Sequence, residues 1–308
     1  MPLIPLDIPS GVYRNGTDLQ SNGRWRDANL IRWIDNTMRP MGGWRVRSDN
    51  ASTAPIRGML SWIDNDNDRW ITGGTYNKLY TWNATGVRFD ITPTSFTAGR
   101  EDALAFTGYS GSFYGSYAYG IERPDTVRIQ PATSWALDTW GENLVGCTED
   151  DGKIYEWALA TGTPAAVISN APTSNRSLVV TEERFLFALG AGGNPRKVQW
   201  SDREDNTTWT PAATNEAGDL ELNTSGQIMA GIKVRGQTLI LTSTDAHVAN
   251  YVGPPYVYGI ERVGSSCGLA ANQAIAAVDA GAFWMGAHAF YSYTGGAVQE
   301  VQSEVADY

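Results

Sequence analysis

The chain has 308 residues, with 33 Gly, 12 Trp and only 18% charged residues, a turn-rich and aromatic-rich balance that excludes intrinsic disorder. Its net charge of −10 argues against nucleic acid as a tightly held ligand, because phosphate binding needs Lys and Arg to release counterions; an acidic wall would leave passing DNA mobile. Two cysteines, Cys147 and Cys267, could pair but make no disulfide framework, no stretch reaches the ~20 apolar residues of a membrane span, and the opening MPLIPLDIPSG lacks the basic region of a signal peptide.

Residues 1–54 differ from the rest. Pro2, Pro5 and Pro9 hold the first ten residues extended. Leu30–Ile34 reads as a strand, Asn36 to Gly43 supplies turn residues, and Trp44-Arg45-Val46 starts a return strand. Six arginines fall between Arg24 and Arg47. This segment reads either as an extended arm with a β-hairpin or as the first strand pair of the main domain.

From Pro55 to residue 308 the sequence repeats. Runs ending in Trp82, Trp157, Trp200, Tyr251 and Tyr293 each follow an apolar run and a turn. Their spacings are 75, 43, 51 and 42 residues. Four short strands with hairpin loops need roughly 35–45 residues, about one propeller blade. The spacing therefore predicts an all-β propeller of about five four-stranded blades. In the third unit the expected strands are Ser177–Thr181, Arg184–Leu189, Lys197–Trp200 and Thr207–Thr210. The fifth unit begins with Gln273–Val278, inside a helix-tolerant stretch whose repeat position makes it an inner strand. Turn residues fall between the runs, as at Asp64–Asp68, Asp150–Gly152 and Gly295-Gly296.

The one wide gap, around 94–134, is rich in Gly, Ser and Tyr. Tyr109, Phe113, Tyr114, Tyr117 and Tyr119 make it a candidate exposed aromatic loop, of the kind found in binding surfaces. The alternative is a long blade connector. The pentapeptide YGIER occurs at Tyr119–Arg123 and again at Tyr258–Arg262, where it reads as an outermost strand. The chain ends directly after the fifth unit. That leaves two expectations: a five-blade ring closed by strands from residues 29–47, or a stretch truncated from a longer protein.

Catalytic inventory is thin. His247 and His288 are the only histidines, and no zinc-protease, hydrolase-elbow, P-loop or paired-cysteine motif occurs. The expectation is no enzyme, no metal and no cofactor. Asp64–Asp68 lacks the Gly and Glu of a calcium loop and reads as a solvated turn. Ser201–Trp209 is similar to the structural Asp-box turn of sialidase-type propellers, one residue too long and without its Gly. Arg176, Arg184, Arg196 and Arg203 would have to converge for a sialidase-like centre.

Three stretches carry a family resemblance: Gly23–Trp33 with Arg39–Trp44, Trp200–Leu222, and more weakly Phe283–Gly295. Together they resemble the tail hub or nozzle proteins of tailed phages, also described as packaged-DNA stabilisation proteins. The resemblance implies a structural virion protein, made in the host cytoplasm and placed in the viral tail. It implies a ring of sister subunits, six in short-tailed phages, below the portal and adaptor. Such a ring continues the DNA channel for transient passage of double-stranded DNA and contacts tail fibre or tip proteins. Family members are usually longer, and Ser303 stands where Cys is expected. Arg24, Trp25, Arg26, Arg32, Trp33, Arg39 and Trp44 are then candidate subunit-interface residues. Their arginines would pair with acidic surfaces of neighbours, or else form a solvated edge that blocks aggregation. The alternative function is a glycan-binding or sialidase-like propeller for host-surface recognition, and a third is a cellular scaffold.

Overall fold

Short apolar runs separated by Gly, Asn and Asp let a chain double back strand by strand. The computed structural model describes residues 8–14, 16–43, 45–104 and 130–302. Among these residues, strands β1 (Ile31–Ile34) and β2 (Thr37–Pro40) pair only with each other. All later strands fall into five antiparallel, four-stranded meanders. The first blade is β3 (Met59–Ile63), β4 (Arg69–Gly74), β5 (Leu79–Trp82) and β6 (Arg88–Asp90). The second is β7 (Trp135–Trp140), β8 (Asn143–Thr148), β9 (Ile154–Trp157) and β10 (Ala166–Val167). The third is β11 (Ser177–Val180), β12 (Leu186–Leu189), β13 (Lys197–Trp200) and β14 (Gly218–Glu221). The fourth is β15 (Ile228–Val234), β16 (Gln237–Thr242), β17 (Asp245–Gly253) and β18 (Val257–Ser265). The fifth is β19 (Ile275–Val278), β20 (Gly281–Met285), β21 (Phe290–Tyr293) and β22 (Val298–Val301). The chain is a β-propeller, with the first strand of each blade facing the central cavity.

The second strands of blades two to four are apolar without alternation: Leu144 to Thr148, Leu186 to Leu189 and Thr238 to Thr242 are buried throughout. Both faces of such a strand are covered, one by each neighbouring blade, so a period of two would bury polar groups. Four apolar cores result. Blades one and two enclose Trp70, Trp135 and Trp157. Blades two and three enclose Cys147, Ile154, Leu186 and Trp209. Blades three and four stack Phe187 against Tyr258 edge-on at 4.8 Å. Blades four and five enclose Leu241, Cys267, Trp284 and Tyr293. Each such side chain contributes about 1.5–3 kcal/mol on burial. Cys147 and Cys267 sit in different cores and are both free thiols.

The repeated terminal aromatics lie on the third strand of every blade. Trp82, Trp157, Trp200 and Tyr293 are buried there, while Tyr251 is half-buried against Phe185. The second YGIER copy lies in β18, the outermost strand of the fourth blade.

Three expectations are corrected. The fourth strand of blade three is β14, not Thr207–Thr210. The Asp205 carboxylate accepts from the Thr207 backbone N–H at 2.8 Å and from the Thr208 hydroxyl, and Trp209 turns into the core with its Nε1 on the Asn206 carbonyl. Local side-chain bonds thus outcompete a ladder there, and the Asp-box-like segment is a structural turn. In the arm, the return strand begins at Thr37, not Trp44. Asp35 and Asn36 both take positive φ (49° and 57°), the two-residue turn that suits strand twist. Lastly, the hairpin closes no blade among the described residues, where β1 and β2 join no other sheet.

Candidate functional site

The N-terminal arm is knit to itself. The Tyr13 amide donates to the Trp25 carbonyl at 2.8 Å, and the Arg24 guanidinium lies 5.0 Å over the Tyr13 ring. Arg26 pairs with Asp18, and Trp25 is half-buried. These candidate residues are therefore engaged within the arm. Arg32 and Arg39 differ: the hairpin register places them directly opposite each other on one face. Both are exposed, and among the described residues neither guanidinium has a hydrogen-bond or ion-pair partner. Like charges at directly opposed positions are destabilising unless an anion joins them. The other face carries Ile31, Trp33, Met38 and Pro40, so the hairpin is amphipathic. Trp44, the aromatic set Tyr109, Phe113, Tyr114, Tyr117 and Tyr119, and the first YGIER copy lie outside the described residues.

Among the described residues, hydrogen bonding to the propeller begins at Arg47, which donates to the Ala84 carbonyl, followed by Asp49 N–H on Gly86 O at 3.1 Å. The Trp82 indole then donates to Ser48 Oγ, and Thr53 Oγ1 meets the Tyr80 hydroxyl. Among the described residues before Arg47, no hydrogen bond or ion pair reaches the blades. Charge is divided in the same way. Residues 1–54 hold seven arginines against five aspartates, so with −10 overall the remainder carries −12.

The central cavity is small, about 310 Å³, and is lined by all five inner strands. Lys233 Nζ reaches across it to Asp138 Oδ1 at 3.0 Å, and Asp138 Oδ2 accepts from the Val180 amide. Gln273 Nε2 bonds the Trp135 carbonyl at 2.7 Å from the fifth blade to the second. The axis is thus tied shut by polar links. Arg176 pairs with Glu149, Arg184 lies over Trp140, Arg196 pairs with Glu221, and Arg203 lies over Tyr251. The structure does not bring these four arginines together at the cavity.

One constellation escaped sequence reading. Between β16 and β17 the loop Thr242-Ser243-Thr244-Asp245 buries an acidic side chain. Asp245 Oδ1 accepts from Thr224 at 2.6 Å, from Thr244 at 3.0 Å and from Thr242. Burial alone would raise the Asp245 carboxyl, but the three hydroxyls and His247 hold it below the ordinary carboxylate range. His247 Nε2 lies 3.6 Å from Asp245 Oδ1 and has no hydrogen-bond partner, with its side chain only 5% exposed. The signal was a Thr-rich turn before an Asp, a pattern shared by many unremarkable loops. Above it opens a cleft of about 480 Å³, lined by Ser225, Ser243, Arg262, Ser265, Ser266 and His288 among others. No group of three or more His, Cys, Asp or Glu among the described residues is placed to hold a metal ion.

Burial holds His247 below its ordinary 6.5, against the pull of Asp245. The folded chain therefore favours neutral imidazole. As pH falls below about 6.5, the unfolded chain takes up a proton that the folded chain refuses, and stability drops until the lower folded value is passed. The loss is about 1.4 kcal/mol for each unit between the two values. Urea unfolding should show a falling midpoint below pH 6.5, and His247→Gln should flatten that limb. An unchanged limb in the variant would assign the loss to other groups.

No family model matches the chain, and no curated protein matches it in sequence. Among solved structures it is similar to virginiamycin B lyase from Staphylococcus aureus, at 8% identity and TM-score 0.48, over 90% of this chain and 80% of that one. It is similar to PorZ of the type-IX secretion system of Porphyromonas gingivalis at 13% identity and TM-score 0.45, over 80% of this chain and 33% of that one. A third is YCF48 bound to D1 peptide, at 14% identity and TM-score 0.37, over 83% and 84%. Identities this low speak to chain architecture alone, and the five sheets establish that architecture without them. No helix among the described residues is long and apolar enough to cross a membrane.

Proposed function

We propose that this chain is a non-enzymatic structural subunit of a tailed-phage virion. Several copies form a tail hub or nozzle ring that continues the DNA channel below the portal and adaptor and retains packaged DNA. The observation that carries this reading is the hairpin that pairs with no blade among the described residues. A two-stranded hairpin alone is marginally stable in water, and this one presents an apolar face and an unpaired arginine couple beside a body of charge −12. It is built to be completed by another subunit. The resemblance of Gly23–Trp33, Arg39–Trp44 and Trp200–Leu222 to tail hub proteins supports the same reading.

DNA would pass between copies and not through a blade axis. The central cavity is bridged by Lys233 and Asp138, whereas a duplex has a major groove that is alone about 12 Å wide. An acidic lumen would repel the duplex and keep it mobile. The portal and adaptor on one side and tail fibre or tip proteins on the other are the expected partners. Electron microscopy of purified full-length chain should show rings of several copies, six on the resemblance. Particles lacking the protein should lose packaged DNA. A chain that stays monomeric at high concentration, with particles that keep their DNA and infect normally without it, would overturn the reading.

The hydroxyl-lined cleft between blades four and five favours a second reading, a glycan-binding propeller. Screening sialosides and polysaccharides for binding and turnover tests it.

A further inference from the structure

We propose that the β1–β2 hairpin of one copy docks into an open seam between the fifth and first blades of a second copy. This rests on the ring reading above and names the acceptor of the arm.

Among the described residues, four of the five blade junctions are sealed by apolar cores, and the fifth is not. Blade five turns Val278, Phe283, Met285 and Phe290 away from blade four, and they remain 42–52% exposed. They share one face, since Met285 pairs with Phe290 and Phe283 lies two residues before Met285. Blade one turns Met59, Ile63 and Ile71 away from blade two, at 63%, 53% and 36% exposure. Among the described residues no hydrogen bond, ion pair or buried cluster joins these two blades. Apolar sheet faces of this kind mark interaction sites in soluble proteins.

The rim of the seam is acidic. Asp66 and Asp68, in the β3–β4 turn, and Asp279, in the β19–β20 turn, lie at the same end of their blades. All three are exposed, and none is ion-paired among the described residues. The seam therefore offers apolar walls and a rim that is negative on balance, three carboxylates against the exposed Arg69 beside Ile63. The hairpin offers Ile31 and Trp33 on one face and Arg32 with Arg39 on the other. The two surfaces are complementary in both polarity and charge.

A second copy is the occupant that the geometry favours. The arm is pinned by Arg47 and Asp49 to the β5–β6 turn, at the outer part of blade one. Residues 48–57 then cover Trp82 and Tyr80 on the seam-facing side of that blade, while among the described residues the hairpin itself makes no strand pairing, hydrogen bond or ion pair with the blades. Passing a hairpin from each copy into the seam of the next is a head-to-tail contact, which closes into a ring when the rotation allows.

The test uses full-length chain. Met38→Cys in one batch and Phe283→Cys in another are mixed and oxidised. A disulfide between the two species is expected, at least tenfold above a control that places the second cysteine at Val167. Rings that assemble without this cross-link would overturn the seam assignment while leaving the ring reading intact. A chain that is monomeric throughout would overturn the ring reading itself. A double variant carrying both cysteines that cross-links within one molecule at high dilution would overturn the second-copy assignment. Arg32→Glu with Arg39→Glu should raise the concentration for half-assembly at least tenfold, and Asp66→Lys, Asp68→Lys and Asp279→Lys together should restore it. Failure of that restoration, or loss of duplex-DNA binding without loss of assembly, would assign the arginine couple elsewhere.

Discussion

Trp135→Ala should lower the stability of the chain by about 4 kcal/mol, the scale of a large aromatic removed from a core that cannot collapse. Trp135 is 0% exposed and stacks on Phe96 at 5.0 Å. Its Nε1 donates to the Thr75 carbonyl at 2.8 Å, which the alanine would orphan. Collapse is obstructed because blade one is already shaped around the indole: a Cβ on Gly74 would lie 2.0 Å from Trp135 Cδ1. The indole thus fills the space that Gly74 leaves on the neighbouring strand. Denaturant unfolding, with unchanged slope and a shifted midpoint, is the measurement. A loss below about 1 kcal/mol would show that blades one and two are not joined by this core.

Asp245→Ala should cost about 3 kcal/mol. The substitution removes the carboxylate acceptor of the buried Thr224 and Thr242 hydroxyls, Thr242 keeping the backbone carbonyl of residue 245 at 3.0 Å, and hydrogen bonds to a charged group are worth about 1.5–3 kcal/mol each before the neighbours re-pair. It also removes the carboxylate that faces His247. Asp245→Asn keeps an acceptor oxygen and should cost clearly less. Equal losses in the two variants would mean that shape, not hydrogen bonding, is what Asp245 supplies. The same carboxylate sits below its ordinary value in the folded chain. Its contribution is therefore complete above about pH 4 and fades as pH falls through the lower folded value.

Most of the fold was legible because hairpin chemistry is local. Trp135–Trp140, Asn143–Thr148, Lys197–Trp200 and Ile228–Val234 begin and end where their residue types change. The failures share a cause. Thr207–Thr210 has β-rich composition, but Asp205 captures the Thr207 amide and the Thr208 hydroxyl, and the Asn206 carbonyl the Trp209 indole, within three residues. At Asp35-Asn36 the turn is set by two left-handed residues, and the later Gly42-Gly43 competes for the same reading in sequence. The candidate interface was only half legible. The concentration of arginines is visible in any reading, but which two share a face follows from a turn one or two residues long. A one-residue change of register would have put Arg32 and Arg39 on opposite faces.

By itself the sequence determined a repeated four-strand unit, five aromatic-ended third strands and a basic arm on an acidic body. These depend on neighbours along the chain, where turn residues and β-propensity act over a few positions. Tertiary structure alone decided that Lys233 and Asp138 tie the axis, that Asp245 and His247 are buried together, and that among the described residues the fifth junction lacks an apolar core. Each of those joins or separates residues far apart in sequence. No local preference encodes which faces a closing arc of sheets will bring into contact.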